Sequence, residues 1–417
     1  MLQPDGGRNK RFAEGFGHTM SDANEAGIPT GGHVAAGFAP VREAFVENFR
    51  VDGDWGAAVA VFVGGTAVVD LWGGYQDQAR ARPWARETLV NAYSTGKGVL
   101  AMLALDAVQR GEVALDVPVT RYWPEFAAAG KSSITLRMLL SHKAGLPAIR
   151  PLQPPERKYD WAAMCTLLAA EAPFWTPGAA HGYHSNTYGY MIGEVLRRAT
   201  GLGPGALLRE RLAGPLAADY YWGLDSELQG RVADLLLPHD ISLALQISQG
   251  KERLAREASS GGEIDHAGMV WRGYFNPPGL SSFGNVNTPQ WRAAVIPSTN
   301  GHATARGLAQ LYNALIMPRQ RPWLDKGVLE EAISIQADGD DVVLERPSRF
   351  GLGFQLPQPK RPIGPNPRAF GHFGHGGSLG FADPDAGIAF AYLTNRPGQR
   401  FLASRANRLI EALYQAL

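Results

Sequence analysis

Thirteen consecutive residues, Gly98 to Arg110 (GVLAMLALDAVQR), are apolar nearly all the way round the helix they would form. A surface helix keeps one polar face, whereas a helix without one has to be enclosed by other structure on every side. Gly111 stands where a helix C-cap favours a left-handed residue, so the buried helix has a defined end. The surrounding chain must be long enough to wrap it. Its 417 residues exceed one compact core and suit two domains.

The flanking segments differ in kind. Ala39 to Arg50 places Val41, Phe45, Val46 and Phe49 on one helical face, so ordered structure is expected to begin near Ala39. Ala57 to Val63 and Thr66 to Trp72 are β-rich runs joined by Gly64-Gly65, the pattern of a hairpin. Arg349 to Leu356, His372 to His375 and Ile388 to Thr394 read as strands, and a helix through Leu402, Leu409, Ile410 and Leu413 closes the chain. Between them, Tyr188 to Thr200 and Thr304 to Met317 read as helices, the first stopped by Gly201 and the second N-capped by Thr304. Ile241 to Trp291 shows no period and is expected to be a long surface excursion. The expected architecture is α+β. Residues 33–88 and 292–417 form an α/β domain from both ends of the chain, and a helical domain, 89–291, is inserted between them.

Composition narrows the partners. The net charge of +1 creates no bulk field to recruit nucleic acid or an anionic membrane. The lone cysteine, Cys165, excludes an internal disulfide and a cysteine-built metal cluster, and its apolar neighbours place it in a core. Residues 1–32 are polar and glycine-rich without the apolar stretch of a secretory signal or membrane span. They are expected to form a flexible arm on a cytoplasmic protein.

Directly before the buried helix stands Tyr93-Ser94-Thr95-Gly96-Lys97. A serine hydroxyl is a weak nucleophile until a base takes its proton. Three residues apart on a helix, Ser94 and Lys97 share a face. The helix N-terminus favours a developing oxyanion, and its dipole and burial both disfavour a protonated lysine. Alone, the same residues would equally serve as an N-cap with an exposed lysine. Ser248-Gln249-Gly250-Lys251 repeats the spacing but runs into Lys-Glu-Arg, so it reads as solvated surface.

Further stretches supply the context that Ser94 and Lys97 lack alone. TLVNAYSTGKGVLAMLALDAVQRGEVALDVPVTRYWPEF, ITLRMLLSHKAGLP, PGAAHGYHSNTYGYMIGEVLRRATG and FGHGGSLGFADPDAGIAFAYLTN resemble the family VIII carboxylesterases over roughly Gly32 to Leu417. Those esterases are similar in fold to class C β-lactamases and penicillin-binding proteins. The resemblance implies an antiparallel sheet flanked by helices, with Ser94 as acylated nucleophile, Lys97 as base, and Tyr183 of Gly182-Tyr183-His184 hydrogen-bonded to both. Which of Lys97 and Tyr183 takes the first proton is left open by the sequence. The resemblance also places His375-Gly376-Gly377-Ser378 where the lactamases carry Lys-Thr-Gly, on a strand lining the pocket. It gives the N–H groups of Ser94 and Ser378 to an oxyanion hole. Two glycines there let a substrate carbonyl approach the backbone.

Two departures from the lactamases bear on substrate. Their motif is Tyr-x-Asn, but His184 and Ser185 follow Tyr183 and Asn186 comes one place late. His375 replaces a lysine that would hold a β-lactam or peptide carboxylate, and a mostly neutral imidazole is a poor substitute. Both push preference toward uncharged esters. The expected activity is hydrolysis of short- to medium-chain carboxylic esters without metal or other cofactor, since no carboxylate joins His372 and His375 at ligand spacing. β-Lactamase, D-Ala-D-Ala peptidase and alcohol-accepting acyltransferase activities share the acyl-enzyme step and are the alternatives, as is a non-catalytic binding protein that has kept the fold. Gly376-Gly377-Ser378-Leu379-Gly380 also matches the nucleophile elbow of α/β-hydrolases, but that chemistry needs a later histidine and none follows His375.

Overall fold

The computed structural model describes residues 20–21, 27–236, 250–252, 254–255, 257, 259, 263–282, 284–317, 323–398 and 404–417. Its main sheet has seven antiparallel strands in the order β1-β2-β4-β3-β12-β11-β10. These are β1 (Met20–Ser21), β2 (Thr30–Val34), β3 (Gly56–Val63), β4 (Thr66–Gly74), β10 (Phe370–Phe373), β11 (Leu379–Asp383) and β12 (Ile388–Thr394). The ends of the chain meet at β3 and β12, where Ala57 lies opposite Thr394 and Val63 opposite Ile388.

Alternation along β3 sorts its side chains to two faces. Val59 and Val61 pack with Val41, Phe45 and Phe49 of helix α1 (Ala39–Val51) and with Leu409 and Leu413 of the C-terminal helix (Ser404–Gln415). Leu402, placed in that helix from sequence, lies outside the described residues. Ala58 and Ala60 belong to the other core with Leu308, Leu311 and Tyr312 of the helix Ala305–Ile316. Small side chains on that face let the helix approach closely. Thr304 caps it, accepting the Gly307 N–H at 3.0 Å.

The buried helix is α2 (Thr95–Gln109), enclosed from Thr95 to Ala107 as its sequence demands. Against it packs α5 (Thr187–Thr200), which ends at Gly201 with φ +78° and in turn packs on α3 (Leu136–Leu140) and α4 (Trp161–Ala170). Cys165 is buried within α4. A small sheet of β5 (Val90–Asn91), β7 (His302–Ala303) and β6 (Tyr220–Tyr221) leads into the start of α2. The hairpin β8 (Ala337–Asp341) and β9 (Arg346–Phe350) packs with Ala148, Tyr183 and Met269. Among the described residues no helix is long and apolar enough to cross a membrane.

Several sequence expectations change. Regular structure begins before Ala39, because Thr30–Val34 pairs along β4 and Met20–Ser21 pairs with Thr30 and Gly31. That strand escapes periodicity because two of its positions are glycine for close approach: a Cβ on Gly31 would come 2.7 Å from the Trp72 ring nitrogen, and one on Gly32 2.0 Å from the Asp70 carbonyl oxygen. The remainder of the arm, 1–19 and 22–26, lies outside the described residues. The segment Ile241 to Trp291 is not a structureless excursion, since His266–Phe275 is a helix, α6, N-capped by Asp265 onto Gly268 N–H. The strand expected from Arg349 runs instead over Arg346–Phe350 and ends at Gly351. The strand expected over His372 to His375 stops at Phe373, because Gly376 (φ +78°) and Gly377 (φ +106°) turn the chain into β11. In the surface repeat of the Ser-x-x-Lys spacing, Ser248 and Gln249 lie outside the described residues.

Candidate active site

Ser94 stands at the N-terminal edge of α2, with helical φ and ψ of −69° and −3°. The residue before it, Tyr93, has φ +51°, a left-handed conformation that a bulky side chain adopts only when its surroundings impose it. Those surroundings are visible: the Tyr93 ring is buried, and its hydroxyl accepts a hydrogen bond from Ser282 Oγ at 3.1 Å. The bend presents Ser94 at the helix mouth, where the Thr95, Gly96 and Lys97 N–H groups turn back onto the Ala92, Tyr93 and Ser94 carbonyls at 3.3, 3.1 and 3.0 Å.

One turn on, Lys97 is 0% exposed. Its Nζ lies 3.1 Å from Ser94 Oγ and donates to the carbonyl oxygen of Ser298, also at 3.1 Å. Desolvation alone pushes its pKa well below the ordinary lysine value, and among the described residues no carboxylate opposes it. A neutral amine that donates to Ser298 keeps its lone pair for the serine proton. The alternative of an N-cap with a surface lysine is excluded by this burial.

Tyr183 reaches the same point from 89 positions further along the chain than Ser94. Lys97 Nζ sits 4.8 Å from the centre of its ring, and its hydroxyl interacts with the Ser94 side chain. Burial raises its pKa. The loop carrying it is pinned at both sides. Gly182 N–H donates to the His142 carbonyl at 3.0 Å, and Tyr183 N–H to Asp341 Oδ1 at 3.0 Å. His184 N–H donates to His142 Nδ1 at 3.1 Å. His184 Nε2 accepts from Leu146 N–H at 2.9 Å, which leaves its proton on Nδ1, directed to the Gly182 carbonyl at 2.7 Å. Burial holds His184 and His372 down to about 3 and pushes His142 well below the ordinary imidazole range, so these rings are neutral near pH 7. The late Asn186 has a different task. It donates to Gly273 O and Ser281 Oγ at 2.8 and 2.9 Å and accepts from Thr299 Oγ1 at 2.8 Å, tying α6 to the Ser298 loop.

The segment after β10 approaches the same helix mouth. A Cβ on Gly374 would lie 2.6 Å from the Ala92 carbonyl oxygen and 3.4 Å from Thr95 Cγ2, so only glycine allows this contact. The His375 ring meets the Tyr93 ring edge-on, centres 5.2 Å apart. Gly376 and Gly377 make the turn, and Ser378 is buried, its carbonyl accepting the Gly374 N–H at 2.6 Å. Ser298 and Asp341 also act at the site without a signal in the sequence. One contributes a backbone oxygen and the other acts on a backbone N–H, and neither contact leaves a side-chain motif.

A family model described as Beta-lactamase matches residues 45–415. The chain is 32% identical over 381 residues to "Esterase/beta-lactamase LipL" of Mycobacterium tuberculosis, covering 90% of this chain and 85% of that protein. It resembles the crystal structure of a penicillin-binding protein homolog from Caulobacter crescentus, with 38% identity, a TM-score of 0.82, and 93% of this chain and 100% of that one covered. A family VIII carboxylesterase structure matches at 36% identity and a TM-score of 0.83, with the same coverage.

Proposed function

We propose, since the chain belongs to the beta-lactamase family and is a serine hydrolase of the β-lactamase and penicillin-binding-protein fold, that it hydrolyses short- to medium-chain carboxylic esters through an acyl-enzyme on Ser94. The observation that carries this reading is the uncompensated, fully buried Lys97 amine 3.1 Å from Ser94 Oγ.

Lys97 accepts the Ser94 proton as Oγ attacks the ester carbonyl carbon, with the Tyr183 hydroxyl acting on the same serine. The negative charge that develops on the carbonyl oxygen is met by the N–H groups of Ser94 and Ser378. As the tetrahedral adduct collapses, the C–O bond to the alcohol breaks and a proton returns through Lys97 or Tyr183 to the departing oxygen. Water then attacks the acyl-enzyme, gives its proton to the same pair, and releases the carboxylic acid and free Ser94. The likeness to a family VIII carboxylesterase supports the ester substrate, while the name of LipL carries esterase and beta-lactamase together.

A series of p-nitrophenyl esters from acetate to dodecanoate, with nitrocefin beside it, tests the proposal. The expected maximum of kcat/KM lies among the short and medium esters. A nitrocefin value equal to the best ester would replace the esterase reading with a lactamase one.

A further inference from the structure

Gly376 (φ +78°) and Gly377 (φ +106°) lead the chain into Ser378. Glycine has the freest backbone of any residue, so a turn built on two of them takes its shape from what packs against it. Pro397 and Gly398, just past β12, supply that packing. A Cβ on Gly376 would overlap Pro397, and Gly398 N–H donates to the Gly376 carbonyl at 2.9 Å. Pro397 is buried in this contact.

The brace is itself clamped by Arg405, in the first turn of the C-terminal helix. Its Nη1 donates to the Arg396 carbonyl at 2.7 Å and its Nη2 to the Asp52 carbonyl at 3.0 Å. The guanidinium also lies along Gly398, where a Cβ would be 3.6 Å from Nη2. Nη1 is 2.9 Å from Asp54 Oδ1, and the Asp54 side chain is 0% exposed. That carboxylate accepts the hydroxyls of Tyr392 and Thr394 as well, the second at 3.0 Å. An exposed ion pair is loosely held, but a guanidinium tied to a buried and fully bonded carboxylate keeps one orientation. Its planar fork can then bond several acceptors at once.

We propose that Arg405 is a positioning residue for the oxyanion hole, acting through Arg396, Pro397 and Gly398 on the glycine turn that aims the Ser378 N–H. This rests on the serine-esterase reading, in which that N–H meets the charge on the carbonyl oxygen. The donor is used only once the tetrahedral oxyanion forms. Loosening the clamp should therefore weaken the tetrahedral state and leave the binding of an unreacted ligand nearly unchanged.

Two ketones separate these states. Trifluoromethyl hexyl ketone takes up the Ser94 oxygen to give a tetrahedral oxyanion, whereas methyl hexyl ketone occupies the pocket unreacted. Both are measured as inhibitors of p-nitrophenyl butyrate hydrolysis. Arg405→Gln should weaken the trifluoromethyl ketone about tenfold or more, with a matching fall in kcat, while the methyl ketone stays within about twofold. Arg405→Lys, which keeps the charge beside Asp54 but not the fork, should recover part of the loss. Pro397→Gly leaves the ion pair intact and should show the same split. If Arg405→Gln fails to fold by circular dichroism, Pro397→Gly decides. A wild-type ratio of the two inhibition constants in either folded variant, or an equal loss for both ketones, would overturn the proposal. A wild type that neither hydrolyses the ester nor binds the trifluoromethyl ketone would instead remove the esterase reading itself, and this proposal with it.

Discussion

The amine of Lys97 lies 3.1 Å from the hydroxyl oxygen of Ser94, and no carboxylate among the described residues balances its charge. Most buried lysines are paired with an acid, because an unpaired ammonium in an apolar interior is strongly disfavoured. Here the disfavoured state is the one that would be useless as a base. The second partner, the Ser298 carbonyl, fixes the direction of the amine without restoring its proton.

The activity should therefore depend on pH with a definite sign. The neutral amine is the working form, and burial shifts its pKa down from the ordinary lysine value. Activity should be low in acid and rise to a plateau as pH passes that lowered pKa. The raised pKa of Tyr183 keeps the phenol protonated through the same range. Lys97→Arg should remove both the activity and the rising limb, because guanidinium does not give up its proton. A kcat/KM profile for a neutral ester that falls over the same interval would contradict the assignment.

Tyr183→Phe separates chemistry from packing. The ring stacks on Phe350 at 6.1 Å and 12° and lies 5.0 Å from His142, contacts that phenylalanine keeps. The melting temperature should stay within a few degrees, while kcat falls about a hundred- to ten-thousand-fold. Combined with Lys97→Ala, the loss should be smaller than the product of the two single losses, because both residues serve one proton path. Near-normal turnover in Tyr183→Phe would remove the tyrosine from the mechanism.

Asp341 places Tyr183 without touching the reacting atoms. Its Oδ1 accepts the N–H groups of Tyr183, Val343 and Leu344 at 3.0, 2.9 and 2.9 Å, and its Oδ2 accepts Ser348 Oγ at 2.8 Å. Ser348 Oγ is in turn 3.0 Å from His181 Nε2. Asp341→Ala strands these buried donors and should reduce stability by about 1–3 kcal/mol. It should also lower kcat more than it changes KM. Asp341→Asn, which keeps an acceptor oxygen, should recover part of both. A variant that loses stability but keeps the wild-type kcat would make Asp341 merely structural.

Local features of this site were legible in the sequence, and contacts between distant segments were not. An all-apolar helix and a glycine pair between β-branched runs are each set within a few residues, so α2 and the β3–β4 hairpin could be read directly, whereas the Ser-x-x-Lys step needed the family resemblance to be told from an N-cap. The helix His266–Phe275 was missed because its buried residues, Gly268, Met269, Arg272 and Gly273, include two glycines and an arginine, which blur any apolar stripe. Arg272 is buried there because it is hydrogen-bonded to Glu257 Oε2 at 2.6 Å, a partner outside the helix. The extent of β10 was overestimated because a run of glycines permits a strand or a turn, and the choice fell to the close approach of Gly374 to Ala92.

The central claim is that Ser94, and not the elbow-like Ser378, is the nucleophile. Incubating the wild type, Ser94→Ala and Ser378→Ala with a fluorophosphonate, followed by intact mass and peptide mapping, tests this most directly. Ser94→Ala should remain folded, since losing a hydroxyl at a helix N-terminus costs about 1 kcal/mol. Ser378 supplies a backbone N–H that alanine also has. The account predicts one adduct on Ser94 in the wild type and in Ser378→Ala, and none in Ser94→Ala. An adduct on Ser378, or one that persists in Ser94→Ala and disappears in Ser378→Ala, would contradict it.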